Sequence, residues 1–439
     1  MSPDDEQDTR PVGLGRRGMT PRDWAVIALI GLLLVLVAVA AVAVWWTAPA
    51  TPSRQAQLAV VADLPTDQVA LGKQFAAALR PGTYASLAVD LAITLLLGLT
   101  PLGARLIATV GRPFGGHWLA EAILGGLVLL LIGHLAVLPF RAWRYVVLKR
   151  YGLSTQEWSG WASDVAKSFL VTAVLAVIVL AGFYTLVRWA PRWWWMFAAL
   201  GAAALVAVVS LIYPVLVEPV FNKFTPMPES PLRTELVNLA EADGQPVRDV
   251  LIADASRRTR AVNAYVSGYG PTRRIVVYDT LLQSAPDSEV VQVVAHELGH
   301  TKANDVVVGT VLGAIGAAAA VCALYLLGSA SGLLRRAGLS GDPSDLTSPR
   351  ALPLLLAAVT VIGLLATPAQ NALSRRIEAR ADAHALQLVG DPEAYEAMQR
   401  RLAARNLSDV DPPAWEHWFF GSHPTTVERI AAARQYRHR

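Results

Sequence analysis

Seven apolar stretches recur along this chain, each near the roughly 20 residues a helix needs to cross a bilayer. They run Trp24–Trp46, Tyr84–Leu106, Trp118–Phe140, Phe169–Trp189, Trp193–Val217, Val306–Leu327 and Ala351–Pro368. Within hydrocarbon every backbone amide must find its partner inside the protein, which leaves only helices and closed barrels as spanning structures. Continuous apolar runs of this length are read as membrane-spanning helices. With 54% hydrophobic and 16% charged residues, the composition is too apolar for an ordinary soluble enzyme. The fold class that follows is mainly α, a multi-span helical membrane protein.

The first run carries no charge between Ala25 and Trp46 and exceeds a signal-peptide core, so it is read as a retained anchor. Only Arg188 to Arg192 separate the fourth and fifth runs, which must therefore form a hairpin. Trp189, Trp193, Trp194 and Trp195 gather at its tip, where amphipathic rings favour the membrane interface. Asp90 and His134 are ionisable groups inside expected spans, where such groups are costly and often functional. The single cysteine, Cys322, excludes an internal disulfide and any multi-thiolate metal site.

These runs divide the chain into a tail, 1–23, and a five-span region, 24–217. A first polar block, 218–305, a two-span hairpin, 306–368, and a second polar block, 369–439, complete it. Lys and Arg are richest in the segments that share a side with both polar blocks, which puts those blocks in the cytoplasm. Arg10, Arg16, Arg17 and Arg22 of the tail argue the other way for the N-terminus. A net charge of +4, spread over loops, suits positioning beside a membrane and gives no sign of nucleic-acid binding.

The first polar block carries His296-Glu297-Leu298-Gly299-His300. On a helix, positions i and i+4 share a face, so the two imidazoles can grip one ion, with Glu297 placed to take a proton from a water. Asp287 to Ala295 supply acidic residues for a helix start and an apolar stripe at Val290, Val293 and Val294. Upstream, Pro231–Asp243 reads as a helix and Val250–Ala253 as a strand. Ala261–Ser267 and Arg274–Tyr278 read as a small β-hairpin turning through Gly268, Gly270 and Pro271. An extended substrate can add itself to the edge of such a pair.

A catalytic zinc keeps three protein ligands and one open position, so a third ligand is needed. The stretch Ser374–Asp382 is strongly helical, and Glu378 and Asp382 share one of its faces. One carboxylate can bind the metal while the other accepts a hydrogen bond from a ligating imidazole. The set His296, His300 and Glu378 would thus draw on both polar blocks.

Taken in order, these motifs resemble the integral-membrane zinc metalloproteases of the type I CAAX prenyl protease family. The resemblance covers nearly everything from Tyr151 to Arg429. It rests on Tyr151–Gln156, Pro219–Pro226, Val262-Asn263-Ala264-Tyr265, His296–His300, Ser374–Asp382, Ser422-His423-Pro424 and Glu428-Arg429. Leu153 and Ser154 depart from the Phe-Asn expected there. The resemblance implies a gluzincin-type protease domain with Zn2+ as cofactor, His296, His300 and Glu378 as ligands, and Glu297 as general base. It further implies Asp382 as the group that orients a ligand and Asn263 as a holder of substrate backbone. His423 and Arg429 would stabilise the oxyanion or shape the site, and the membrane helices would surround a chamber. The implied partners are the bilayer and membrane-associated peptides or proteins, CaaX-type or damaged. A metal-binding transporter and a catalytically inactive zinc scaffold are the competing readings, and both require Glu297 to be idle.

Overall fold

The computed structural model describes residues 19–268 and 270–438, so most of the expected tail, 1–23, lies outside the described residues. Thr20 caps α1 (Pro21–Ala40), which ends in a π-helical turn at Ala41–Trp45. The short α2 (Arg54–Asp63) precedes α3 (Thr66–Gly98) and α4 (Pro101–Gly111). Three further long helices follow: α5 (Trp118–Arg150), α6 (Trp158–Trp189) and α7 (Trp194–Ile212).

The polar block opens with α8 (Glu218–Phe221), β1 (Phe224–Pro226), α9 (Pro231–Ala242) and β2 (Asp249–Ala253). Next come β3 (Ala264–Ser267), β4 (Arg274–Tyr278), α10 (Asp279–Ser284) and α11 (Asp287–Lys302). The chain returns through α12 (Asp305–Gly328), α13 (Ser331–Arg336) and α14 (Leu352–Val389). It ends with α15 (Pro392–Arg405), α16 (Ala414–Phe420) and α17 (Thr426–Arg437).

Among the described residues, seven helices are long and apolar enough to cross a membrane, beginning with Pro21–Trp45, Thr66–Gly98 and Trp118–Arg150. The remaining four are Trp158–Trp189, Trp194–Ile212, Asp305–Gly328 and Pro349–Val389. Every expected run falls on one of them, with one correction. The second run, Tyr84–Leu106, is not a single helix: α3 stops at Gly98 and α4 restarts at Pro101. Proline has no amide hydrogen to continue α3 and pushes the residue before it into extended backbone, here Thr100 at φ −130° and ψ 164°. The tryptophan cluster divides in two. Trp189 is 74% exposed, whereas Trp194 and Trp195 are buried against Tyr325 of α12, with ring centroids 5.7 and 5.6 Å away. Asp90 and His134 both line a cavity of about 480 Å³ among the membrane helices.

The sheet has four strands in the order β1-β2-β4-β3. β3 and β4 form the expected antiparallel hairpin, and β4 also pairs in parallel with β2. Ile275, Val276 and Val277 of the inner strand β4 are all buried, as a strand covered on both faces requires. β1 was not evident in the sequence, because three residues with a terminal proline carry no strand pattern. Ser230 caps α9 through the Arg233 amide, and Leu232, Leu236 and Ala240 form its buried stripe. That stripe joins Val250, Ile275, Leu281, Val290, Val294 and Leu298 in one core beneath α11.

Helix α14 continues without interruption through Pro368, its first half apolar and its second half carrying Glu378 and Asp382. Gly390, at φ 72°, ends it in the left-handed conformation that favours glycine. The last membrane helix and the start of the second polar block, up to Val389, are therefore one continuous helix.

Candidate metal centre

His296, Glu297 and His300 lie on α11, which packs along the far half of α14. Close approach of the two helices depends on Gly299. A Cβ there would sit 3.1 Å from both Ala381 Cα and His384 Cβ. Gly299→Ala is expected to lower the thermal midpoint in detergent. The gain of about 1 kcal/mol in helix propensity is outweighed by overpacking of about 1–3 kcal/mol. An unchanged or higher midpoint would refute this account of the contact.

With α11 and α14 in contact, three side chains converge. His296 Nε2 lies 3.2 Å from His300 Nε2 and 3.3 Å from Glu378 Oε2, and His300 Nε2 lies 3.6 Å from Glu378 Oε1. Ligand atoms in tetrahedral array, each 2.0–2.1 Å from a zinc ion, stand about 3.3 Å apart. The three donors therefore fit a zinc ion, and they form the one such His/Cys/Asp/Glu group found among the described residues.

The other side of each ring faces a carboxylate. His296 Nδ1 is 2.9 Å from Asp382 Oδ1, and His300 Nδ1 is 2.9 Å from Asp305 Oδ2. Protons assigned to both Nδ1 atoms leave both Nε2 lone pairs aimed at one point. Burial would depress the pKa of His296, but Asp382 and Glu378 outweigh it and hold the ring up at about 10. Burial pushes the Glu297 carboxyl above its ordinary range, against the opposing pull of His296 and His300.

Arg429 Nη2 donates to Glu378 Oε2 at 2.8 Å and Nη1 to Asp382 Oδ1 at 3.2 Å. Its guanidinium is buried between the two carboxylates. His423 Nδ1 stands 2.9 Å from Glu378 Oε2 with its side chain 62% exposed, so it borders both the site and solvent. Asn263 is exposed at the start of β3, with its backbone carbonyl accepting from the Tyr278 amide at 3.0 Å. Of the residues singled out in the sequence, His296, His300, Glu378, Asp382, His423 and Arg429 form one connected cluster. Glu297 is electrostatically coupled to it. Asn263 stays apart, immediately before β3.

Two members were not anticipated. Tyr395, fully buried on α15, is electrostatically coupled to Asp382 and accepts from Gln399 Nε2 at 3.0 Å. Asp305 is the first residue of a membrane helix, and it reaches back to His300 because Asn304 turns the chain at φ 54°. Asparagine is one of the few residues besides glycine that enter this left-handed region readily, so an Asn-Asp pair just after the motif was the available signal.

A multi-span helical membrane protein with a zincin-like helix pair and a small sheet defines a membrane metalloprotease. Residues 226–437 match the description peptidase family M48, and residues 78–223 match CAAX prenyl protease N-terminal, five membrane helices. The chain is 34% identical over 318 residues to the uncharacterized metalloprotease YhfN of Bacillus subtilis (strain 168), covering 70% of this chain and 72% of that one. It is 31% identical to the CAAX prenyl protease 1 homolog of Oryza sativa subsp. japonica, covering 67% and 69%. It is 26% identical to CAAX prenyl protease 1 of Saccharomyces cerevisiae, covering 78% and 76%. The crystal structure of S. mikatae Ste24p shares the fold, with a TM-score of 0.76 at 20% identity over 93% of this chain and 99% of that one. The chain belongs to the M48 family of membrane metalloproteases, in its CAAX prenyl protease branch.

Proposed function

We propose that this protein is a zinc metalloendopeptidase in which His296, His300 and Glu378 hold Zn2+ and Glu297 is the general base. The observation that carries this reading is the meeting of two Nε2 atoms and one carboxylate, all within 4.8 Å, with the half-buried Glu297 on the helix that carries both histidines. Zinc held there supplies a Lewis acid and brings the pKa of its water towards neutrality. Glu297 takes the proton of the attacking water and passes it to the leaving amine. Asp382 and Asp305 fix the ring orientations, and Arg429 balances the charge of Glu378 and Asp382. His423, at the solvent border, donates to the substrate oxygen that gains charge, a contribution of about 10²–10³ in rate.

β3 has one side unpaired in the sheet and packs against α11, so an extended peptide adds there by main-chain hydrogen bonds, with Asn263 holding its backbone. The substrates are CaaX-type or other membrane-associated peptides and proteins. Residues 218–305 and 369–439 act as two halves of one protease domain, joined by the membrane hairpin 306–368 and facing the cytoplasm.

Chelation tests the metal. Treatment of the detergent-purified protein with a zinc chelator is expected to reduce cleavage of a quenched peptide to background, and stoichiometric zinc to restore it. Undiminished cleavage by a chain shown to be metal-free would overturn the proposal.

A further inference from the structure

The carboxylate behind His300 is itself held from an unexpected direction. Asp305 is 9% exposed, and its Oδ1 pairs with Arg380 Nη2, while its Oδ2 faces His300 Nδ1 at 2.9 Å. Arg380 lies on α14, two residues beyond Glu378. Its second amino group, Nη1, does not stay in the polar domain. It donates to the carbonyl of Ala43 at 2.6 Å and to Thr47 Oγ1 at 2.8 Å. Ala43 lies in the last turn of the first membrane helix, and Thr47 two residues past its end.

The π-helical turn makes that carbonyl available. At Ala41–Trp45 the register widens, and the amides of Thr47 and Ala48 both go to the Val44 carbonyl. The Ala43 carbonyl takes the Thr47 hydroxyl and Arg380 instead. The C-terminal end of a helix presents unpaired carbonyls and partial negative charge, so a guanidinium is favoured there. Single π turns within α-helices are frequent at functional sites. One turn away, Arg376 lies over the ring of Trp45 at 4.5 Å, which seats the same segment on α14. α1 precedes residue 78, where the matched membrane domain begins, so neither family match includes it.

We infer that Arg380 is a positioning residue that ties the first membrane helix to the metal centre, through the path Ala43 and Thr47, Arg380, Asp305, His300. Arg380 fixes the Asp305 carboxylate, and Asp305 fixes the imidazole whose Nε2 faces the metal. This inference rests on the zinc reading proposed above. Groups that orient metal ligands in this way typically contribute 10–100-fold to metal affinity. Arginine suits the task because its planar fork serves two acceptors on different elements at once, which a lysine cannot do.

The test is zinc affinity by competition with chelators of graded strength, on the full detergent-purified chain, together with the thermal midpoint of the metal-free form. Arg380→Gln and Asp305→Asn should each weaken zinc binding by about 10–100-fold. The double variant should bind no more weakly than the poorer single one, because both act along one path. Arg380→Lys should recover part of the loss, and Thr47→Val should weaken zinc in the same direction by less. Wild-type zinc affinity in Arg380→Gln would overturn the inference. So would a loss of affinity in Arg380→Gln and Thr47→Val that only tracks a fall in the metal-free midpoint. Absence of stoichiometric zinc from the wild type would instead reject the metal assignment itself, and the parallel measurement keeps the two failures apart.

Discussion

Glu297→Gln is expected to retain zinc at wild-type stoichiometry while turnover falls by about 10²–10⁴-fold. The substitution conserves shape and removes the ability to accept a proton. It touches none of the three ligands, since His296, His300 and Glu378 meet without Glu297. The side chain is also half-buried, which limits the access of a base from bulk solvent. His300→Ala should behave differently, losing the metal together with the activity. Metal content and peptide cleavage, measured in parallel on both variants, separate the roles. Turnover of Glu297→Gln within tenfold of wild type would sink the assignment of the base, and retained zinc in His300→Ala would sink that of the ligand.

The second large effect is expected at Arg429. Its guanidinium contacts Glu378 and Asp382 at 2.8 and 3.2 Å and is only 12% exposed. Arg429→Met keeps much of the bulk but leaves two carboxylates buried beside each other with less positive charge around them. Removing one partner of a buried ion pair costs about 3–5 kcal/mol. The metal-free variant should therefore unfold well below wild type, and saturating zinc should recover part of the difference by supplying positive charge. Arg429→Lys should fall between the two, because an ammonium group cannot bridge both carboxylates as a fork does. A metal-free midpoint equal to wild type in Arg429→Met would show that the cation is dispensable.

Much of this arrangement was legible in the sequence because its signals are local. A span is a matter of length and apolarity, so all seven were found, and the hairpin of β3 and β4 was marked by its glycines and proline. His296 and His300 announce themselves by i,i+4 spacing, and Glu378 with Asp382 by the same spacing on α14. What escaped depended on contacts between distant segments. Asp305 looks like the polar start of a membrane helix until Asn304 turns it back towards His300. Arg380 looks like one of several arginines on a helix, and nothing local says that it reaches Ala43. The burial of Trp194 and Trp195 needed Tyr325 from another span. The broken second run shows the reverse failure, where a local proline signal at Pro101 was overridden by apolar length.

The unbroken course of α14 has a consequence for where cleavage can happen. Ten residues of continuous helix separate Pro368 from Glu378, which is about 15 Å along the axis. The helix is unbroken over that distance, so the axial position of Glu378 relative to the apolar half of α14 is fixed by backbone geometry. Under the function proposed above, Glu378 then stays in fixed axial register with the last membrane helix, which favours substrates held by the same bilayer.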